Sequence, residues 1–215
     1  MSRQSPTERP DTYHRYLDAA EQAFIRLGYE GASIRTISNA AGAPLGTLHH
    51  YWGNKEALFR DVCQRRFAAI QAEQLRRLRA AAQRRADTGA VELAAVVRAR
   101  SEPPILADAR DADQQHTIRL LYGRVLTEPS EVVKRLVRDF FAETTALFLA
   151  LLRAGCSALT EESFYWRCNC ALGAFIFSQS FGDRVAFAQG MELKGTDWTR
   201  VVDHITEFIL RGMTG

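Results

Sequence analysis

The 215-residue chain is predicted to fold as an all-α protein, and three observations carry that prediction. Apolar residues recur at spacings of three and four along most of its length, beginning with Leu17, Ala20, Phe24 and Leu27. Strand signals are nearly absent, with no alternating β-branched run and no Asn-Gly hairpin. Capping residues such as Ser33, Asn54, Ser130 and Thr160, and stops such as Gly28, Gly42, Gly53 and Gly155, fall at helix-length intervals.

The elements follow in order. Asp11 or Thr12 caps a first helix whose inward face is Leu17, Ala20, Phe24 and Leu27, and Gly28 is expected to stop it. Ser33 caps a short second helix with Ile34, Ile37 and Ala41 inward, ended by Gly42. Pro44 stands where a missing N–H costs nothing, so a third helix runs from Leu45 to Trp52, with Leu48 and Trp52 one turn apart, and Gly53 breaks it. Asn54 caps a fourth helix that carries Leu58, Phe59, Val62, Phe67 and Ile70 past Leu78 to a break at Thr88-Gly89. A fifth covers Val91 to Arg100, with Glu102-Pro103-Pro104 expected to force another break. Asp113 to Leu126 ends before Glu128-Pro129, and Ser130 caps one long helix from Glu131 to Ala154. Thr160 opens the next, to Phe181, and Asp197 to Arg211 forms the last.

Apolar content of 47% and charged content of 25% are those of a globular domain. The polar stretch Met1 to Thr12 lacks the apolar core of a secretion signal and reads as a tail, and no run approaches a membrane span, so a cytoplasmic protein without a membrane partner is expected. Cys63, Cys156, Cys168 and Cys170 show no metal-site spacing and read as reduced thiols. No cofactor and no metal are expected. Residues 1–85 carry 14 Lys+Arg against 8 Asp+Glu, whereas residues 86–215 carry 14 against 17. A basic front half suits contact with a polyanion.

The informative stretch is Ser33 to Lys55, two short helices joined by a tight turn at Ala41-Gly42-Ala43. Neither is stable alone, so both must pack on the first helix through Phe24, Leu27, Ile37, Ala41 and Leu48. That packing holds the third helix outward, where Leu45, Gly46, Thr47, His49, His50 and Tyr51 would meet solvent. A helix of this width fits the major groove of duplex DNA. His49 and His50 are sequence neighbours that point apart, so a metal pair is the weaker reading. Trp52 reads as core, and the arginines from Arg60 to Arg85 as a solvated face or a second DNA patch.

Leu17-Asp18-Ala19-Ala20, Phe24, Gly28-Tyr29, Ser33-Ile34-Arg35, Ile37, Ala40-Ala41-Gly42, Gly46-Thr47-Leu48, Tyr51 and Asn54-Lys55-Glu56-Ala57-Leu58 resemble the DNA-binding domain of TetR-type regulators without a gap over residues 13–60. The resemblance implies that Ser33 and Thr36 hold backbone phosphate, that Arg35 reaches phosphate or a base edge, that Leu45, Gly46 and Thr47 face the groove, and that Tyr51 and Lys55 grip phosphate. His49, where the family often has tyrosine, and Leu45, where it often has a polar residue, put the base preference in doubt. His49 is expected as a groove contact and His50 as a packed or phosphate-side residue.

Residues 61–215 are then expected to form a helical ligand-binding and dimerisation domain behind the helix-turn-helix. Phe148, Leu152, Leu172, Phe175 and Ile176 lie on helices apolar on more than one face, which predicts pairing with a second copy; a large monomeric core is the plainer alternative. Two symmetric recognition helices would read a palindromic operator. Leu121, Tyr122, Val125, Phe140, Phe141 and Thr144 are expected to line a mostly apolar pocket for a hydrophobic or amphipathic effector. Leu121-Tyr122-Gly123-Arg124 with Glu128-Pro129-Ser130, Phe164-Tyr165-Trp166-Arg167 and Leu172-Gly173-Ala174 loosely resemble a subgroup of the family with fatty-acid-responsive members. The expected function is a repressor released from its operator by a ligand. The rival classes are an all-α enzyme and a helical protein-interaction module. The sequence has no G-x-S-x-G, Walker or H-E-x-x-H motif, and Asp108, Asp111 and Asp113 read as a polar connector.

Overall fold

The computed structural model describes residues 11–107, 111–181, 186–190 and 195–214. The described elements are α1 (Asp11–Gly31), α2 (Ile34–Ala40), α3 (Leu45–Trp52), α4 (Lys55–Thr88), α5 (Leu93–Leu106), α6 (Ala112–Thr127), α7 (Glu131–Phe140), α8 (Ala142–Gly155), α9 (Glu161–Ser180) and α10 (Trp198–Thr214). The first three pack on the start of α4. That 34-residue helix then runs on into the second half of the molecule, where α5 and α8 pack against it, α6 and α10 against α5, and α9 against α6 and α10. The expected domain boundary at residues 60 and 61 therefore falls within one unbroken helix. Asp108 and Gly182 lie outside the described residues.

Local signals set most boundaries. Ser33, Asn54 and Thr160 each accept from the backbone N–H three residues on, at 3.0, 2.9 and 3.2 Å. Asp111, expected in a connector, caps α6 through the N–H groups of Asp113 and Gln114. Gly89 ends α4 in the left-handed conformation.

Four expectations are corrected. Gly28 does not end α1: it kinks the helix at φ 73° and ψ 177°, and helical bonding resumes to Gly31. The kink swings Tyr29 in beside Phe24 and Phe59, so Leu27, expected to pack inward, is left 44% exposed. The Pro103-Pro104 pair does not break α5. Pro104 has no N–H to offer the carbonyl of Arg100 four residues back, and the side-chain amide of the fully buried Gln74 on α4 donates to that carbonyl instead, at 2.7 Å. Residues 131–154 are two helices rather than one, because Phe141 leaves helical geometry at φ −100° and ψ 9°. Its ring is buried against Phe67 and Tyr122, and turning it inward bends the chain there.

Glycines mark two close crossings. A Cβ on Gly123 of α6 would stand 1.9 Å from the Ser180 hydroxyl of α9, and one on Gly155 would stand 2.4 Å from a Leu93 methyl. Both helix pairs meet there at backbone distance.

Candidate nucleic-acid interface

Leu48 and Trp52, one turn apart, bury one side of α3, at 0% and 8% exposure. Its other side is outward: Leu45, Gly46, His49 and His50 are exposed, and Thr47 and Tyr51 are half-buried. Ser33, Arg35 and Thr36 are exposed at the start of α2 on the same unit.

An aromatic block holds α3 at its angle. Tyr13 of α1 stacks on Trp52 with ring centres 4.8 Å apart, and Tyr51 meets Tyr13 edge-on at 5.4 Å. The carboxylate of Asp61, on α4, accepts from both Tyr13 Oη at 2.5 Å and Trp52 Nε1 at 2.8 Å. The Tyr16 hydroxyl donates to the carbonyl of Pro44, the residue that caps α3. Within the turn, Ser38 Oγ donates to the Ala43 carbonyl at 2.7 Å, and Gly42 takes the positive φ that the reversal requires. A second brace fixes α1 to α4: buried Glu21 accepts from Arg65 at 3.0 Å and from Arg66 at 2.5 Å. Sequence reasoning missed Tyr13, Tyr16, Glu21 and Asp61. Their signal was the inward period of α1 and a lone acid on an apolar face of α4.

The nominated contact residues are not all free. Ser33 Oγ caps Thr36 N and pairs with its hydroxyl at 2.7 Å. His49 Nδ1 lies 3.0 Å from the Gly53 carbonyl. Lys55 donates to the Tyr29 carbonyl at 2.8 Å and lies over the Tyr29 ring, leaving two of its three N–H bonds for other partners. Arg35 and His50 have no side-chain bond of this kind among the described residues, and both are exposed.

The joint between this unit and the rest of the chain is polar. The Gly28 kink admits the side chains of Arg124 and Glu128, which a Cβ would meet at 2.3 and 2.8 Å. Glu128 then accepts from the Tyr29 N–H at 3.1 Å, and Ser130 Oγ donates to Glu30 at 2.6 Å. Arg124, Glu128 and Ser130 belong to the segment that marked the subgroup resemblance.

The chain belongs to the TetR family. A model described as "Tetracyclin repressor-like, C-terminal domain" matches residues 98–212, more than half the chain, and one described as "Bacterial regulatory proteins, tetR family" matches residues 17–62. The repressor AcnR of Corynebacterium efficiens is 40% identical over 57 residues, 26% of this chain and 30% of its own. The repressor ComR of Escherichia coli K12 is 42% identical over 72 residues, 31% of this chain and 34% of its own. The chain thus spans about a third of the curated relatives it matches. Likeness in fold extends much further. The fatty acid degradation regulator FadR of Bacillus halodurans superimposes with a TM-score of 0.61 at 17% identity, over 96% of this chain and 98% of that one. FadR of Bacillus subtilis, solved in complex with stearoyl-CoA, gives 0.59 at 15% identity, over 93% and 98%.

In the rear half of this TetR-family chain, the expected pocket residues divide. Leu121, Tyr122 and Thr144 are fully buried in the core and line neither of two cavities in this half. Val125, Phe140 and Phe141 line one of about 290 Å³ between α4, α6 and α7. Phe141 also lines a second, of about 310 Å³, whose walls come from α5, α6, α7, α8, α9 and α10. The expected pairing residues divide as well. Leu152, Phe175 and Ile176 turn into their own chain, whereas Leu172 is 46% exposed and Phe148 half-buried. The large apolar side chains that face outward on these helices are Leu149, Tyr165, Trp166, Leu172, Phe177 and Phe208. No described helix is long and apolar enough to cross a membrane, and no metal-binding cluster occurs among the described residues.

Proposed function

We propose that the protein is a ligand-responsive transcriptional repressor that binds palindromic operator DNA as a homodimer. The observation that carries this reading is α3: one side is locked by Leu48, Trp52 and the Asp61 bonds, and the other presents polar and aromatic groups to solvent. In this reading residues 13–60 form the DNA-binding domain, residues 61–215 form the sensing and pairing domain, and α4 is the rod they share. Thr47, Leu45, Gly46 and His49 address the major groove, Leu45 through a thymine methyl. Ser33, Arg35, Thr36, His50, Tyr51 and Lys55 address the phosphates. The protein acts where chromosomal DNA is, in the cytoplasm.

Pairing is assigned to the exposed apolar face of α9 and α10, where Trp166, Leu172, Phe177 and Phe208 stand in water in the single chain. Charged residues would serve a solvent face better, and a second copy would remove this one from water. The effector occupies the rear half and favours a state in which the two α3 helices no longer match successive half-sites.

A duplex carrying the sequence upstream of the protein's own gene, titrated at several salt concentrations, tests the reading. Wild type is expected to bind with an affinity that falls steeply with salt. Arg35→Ala and Thr47→Ala are expected to lose about tenfold or more while remaining dimeric, since a good base or phosphate contact contributes about 1–3 kcal/mol. Protein that ignores every duplex at low salt would rule the reading out.

A further inference from the structure

The cavity of about 310 Å³ holds a feature that a purely apolar effector leaves unexplained. Its walls are mostly apolar, from Val97, Leu126, Phe148, Leu152 and Phe175, yet Arg100 lines it as well. Arg100 is half-buried. Its Nη1 donates to the hydroxyl of Tyr122, and its guanidinium carbon lies 6.0 Å from the Tyr122 ring centre and 5.8 Å from that of Phe141. Several partly sheltered arginines have a carboxylate: Arg65 and Arg66 share Glu21, Arg77 has Glu73 and Glu102, and Arg98 has Glu102 and Asp203; buried Arg119 has none among the described residues and lies over the Trp198 ring instead, outside this cavity. Arg100 forms no ion pair among the described residues. A cation shielded from water without a counter-charge is costly. A planar carboxylate, taking two parallel N–H bonds from the guanidinium, removes that cost.

The cation is also held in place. Pro104 frees the carbonyl of Arg100, and Gln74 of α4 pins that carbonyl at 2.7 Å. The residue that faces the cavity is therefore clamped by its own backbone. In the single chain Leu149, Asn169 and Leu172 at the cavity's edge are exposed, as is Arg138; with Leu172 given to the pairing face, the way in is on the Arg138 and Leu149 side. Its volume corresponds to roughly ten non-hydrogen atoms, taking about 30 Å³ for each water-sized group.

Resting on the effector-binding role given above, we infer that this cavity binds a medium-chain aliphatic carboxylate, with its head on Arg100 and its tail among Val97, Leu126, Phe148 and Phe175. A carboxylate that takes the guanidinium competes with Tyr122 of α6. The C-terminal end of that helix, Glu128, accepts from the Tyr29 N–H of the DNA-binding unit. The ligand head thus acts on the helix that touches the front domain.

Calorimetric titration of the intact protein with sodium octanoate and with 1-octanol tests this inference, since the two share a chain length and differ in the charged head. Octanoate is expected to bind wild type at least tenfold more tightly than octanol. Arg100→Met is expected to weaken octanoate at least tenfold and to leave octanol unchanged, and Arg100→Lys, which keeps the charge without the fork, to fall between. Ala171→Trp, which fills the cavity, is expected to abolish both. Thermal unfolding of each variant checks that it folds. If Arg100→Met does not fold, the wild-type comparison and Arg100→Lys decide. Equal binding of the two ligands, an unaffected Arg100→Met, or no octanoate binding overturns the inference. Octanoyl-CoA is the third arm: if it binds where octanoate does not, the ligand is a thioester and the carboxylate assignment fails. None of these titrations contains DNA. Lost carboxylate binding with operator binding intact therefore removes this inference alone, and lost operator binding removes the earlier reading alone.

Discussion

The first 60 residues and the rest of the chain bury polar groups differently. In the front unit the buried polar side chains are matched, Glu21 by Arg65 and Arg66 and Ser38 by a carbonyl, and the half-buried Asp61 at its edge accepts from a tyrosine and a tryptophan. Behind it, Thr144 Oγ1, Gln179 Oε1 and Nε2, Thr206 Oγ1 and two nitrogens of Arg119 are buried with no hydrogen-bond partner among the described residues. The outward surfaces differ as well. The front shows Leu27 and Leu45 among polar neighbours, whereas α8, α9 and α10 show six large apolar side chains between them. A unit whose buried acid and hydroxyl are matched within one chain can present a rigid polar surface to DNA. A unit with orphan polar atoms, cavities and an uncovered apolar face is one that a ligand and a second chain complete.

The largest expected effect breaks the front unit. Leu48 is fully buried beneath α3, and truncating a leucine at such a site costs about 2–5 kcal/mol. Leu48→Ala is expected to lower the stability of the front half by about 3 kcal/mol and to abolish operator binding, because α3 has only eight residues and no stability of its own. Urea unfolding followed by Trp52 fluorescence checks it. A transition unmoved by this change would mean that α3 is held by something other than its buried face. Thr47→Ala, one residue away but facing outward, should leave the same transition in place.

Next in size is the rear face. Trp166→Asp combined with Leu172→Asp puts two charges where a second copy would bury apolar surface. Association is expected to weaken at least 100-fold, read by sedimentation equilibrium, with the Leu48-dependent transition unchanged. A variant that remains fully dimeric would move pairing off α9. The joint between the halves comes third. Glu128→Ala leaves the buried Tyr29 N–H without its acceptor at 3.1 Å, a loss of about 1–3 kcal/mol. The two halves are then expected to unfold as separate transitions in calorimetry. One sharpened transition would show that α6 does not couple them.

The same contrast explains what the sequence disclosed. Bounds of α3 from Leu45 to Trp52 were legible because they rest on local chemistry: Pro44 before it, Gly53 after it, and Leu48 and Trp52 one turn apart. The cap residues Ser33, Asn54 and Thr160 were legible for the same reason. The proline pair was misread because its missing donor is made good by Gln74, 30 residues upstream of Pro104, and no local rule shows that. Phe141 was misread because a ring drawn between Phe67 and Tyr122 bends a helix that periodicity makes continuous. Leu152, Phe175 and Ile176 looked like pairing residues because an apolar helix does not state which of its apolar sides its own chain will cover. Arg100 could be found only once the neighbouring elements showed that it pairs with no carboxylate among the described residues.

The smallest effect compares two thiols. Cys63 is buried on α4 beneath α7, and burial pushes its thiol from 9.0 up to about 12; Cys170 on α9 is exposed. Below pH 9 the Cys63 thiol is neutral in both folded and unfolded chains, and its burial contributes in full. As pH rises from 9 towards 12, the unfolded thiol ionises while the folded one does not. Stability drains into the unfolded state until the folded value is reached. At pH 10 the loss from this group is about 1.4 kcal/mol, one unit above the unfolded value. Wild type and Cys63→Ala should therefore converge in stability between pH 8 and pH 10, whatever other groups titrate in both, and a parallel pair of curves would show Cys63 to be reached by water. In a Trp166→Asp, Leu172→Asp chain that does not pair, a thiol reagent at pH 8 should meanwhile modify Cys170 and spare Cys63, because Cys170 is exposed and Cys63 is buried.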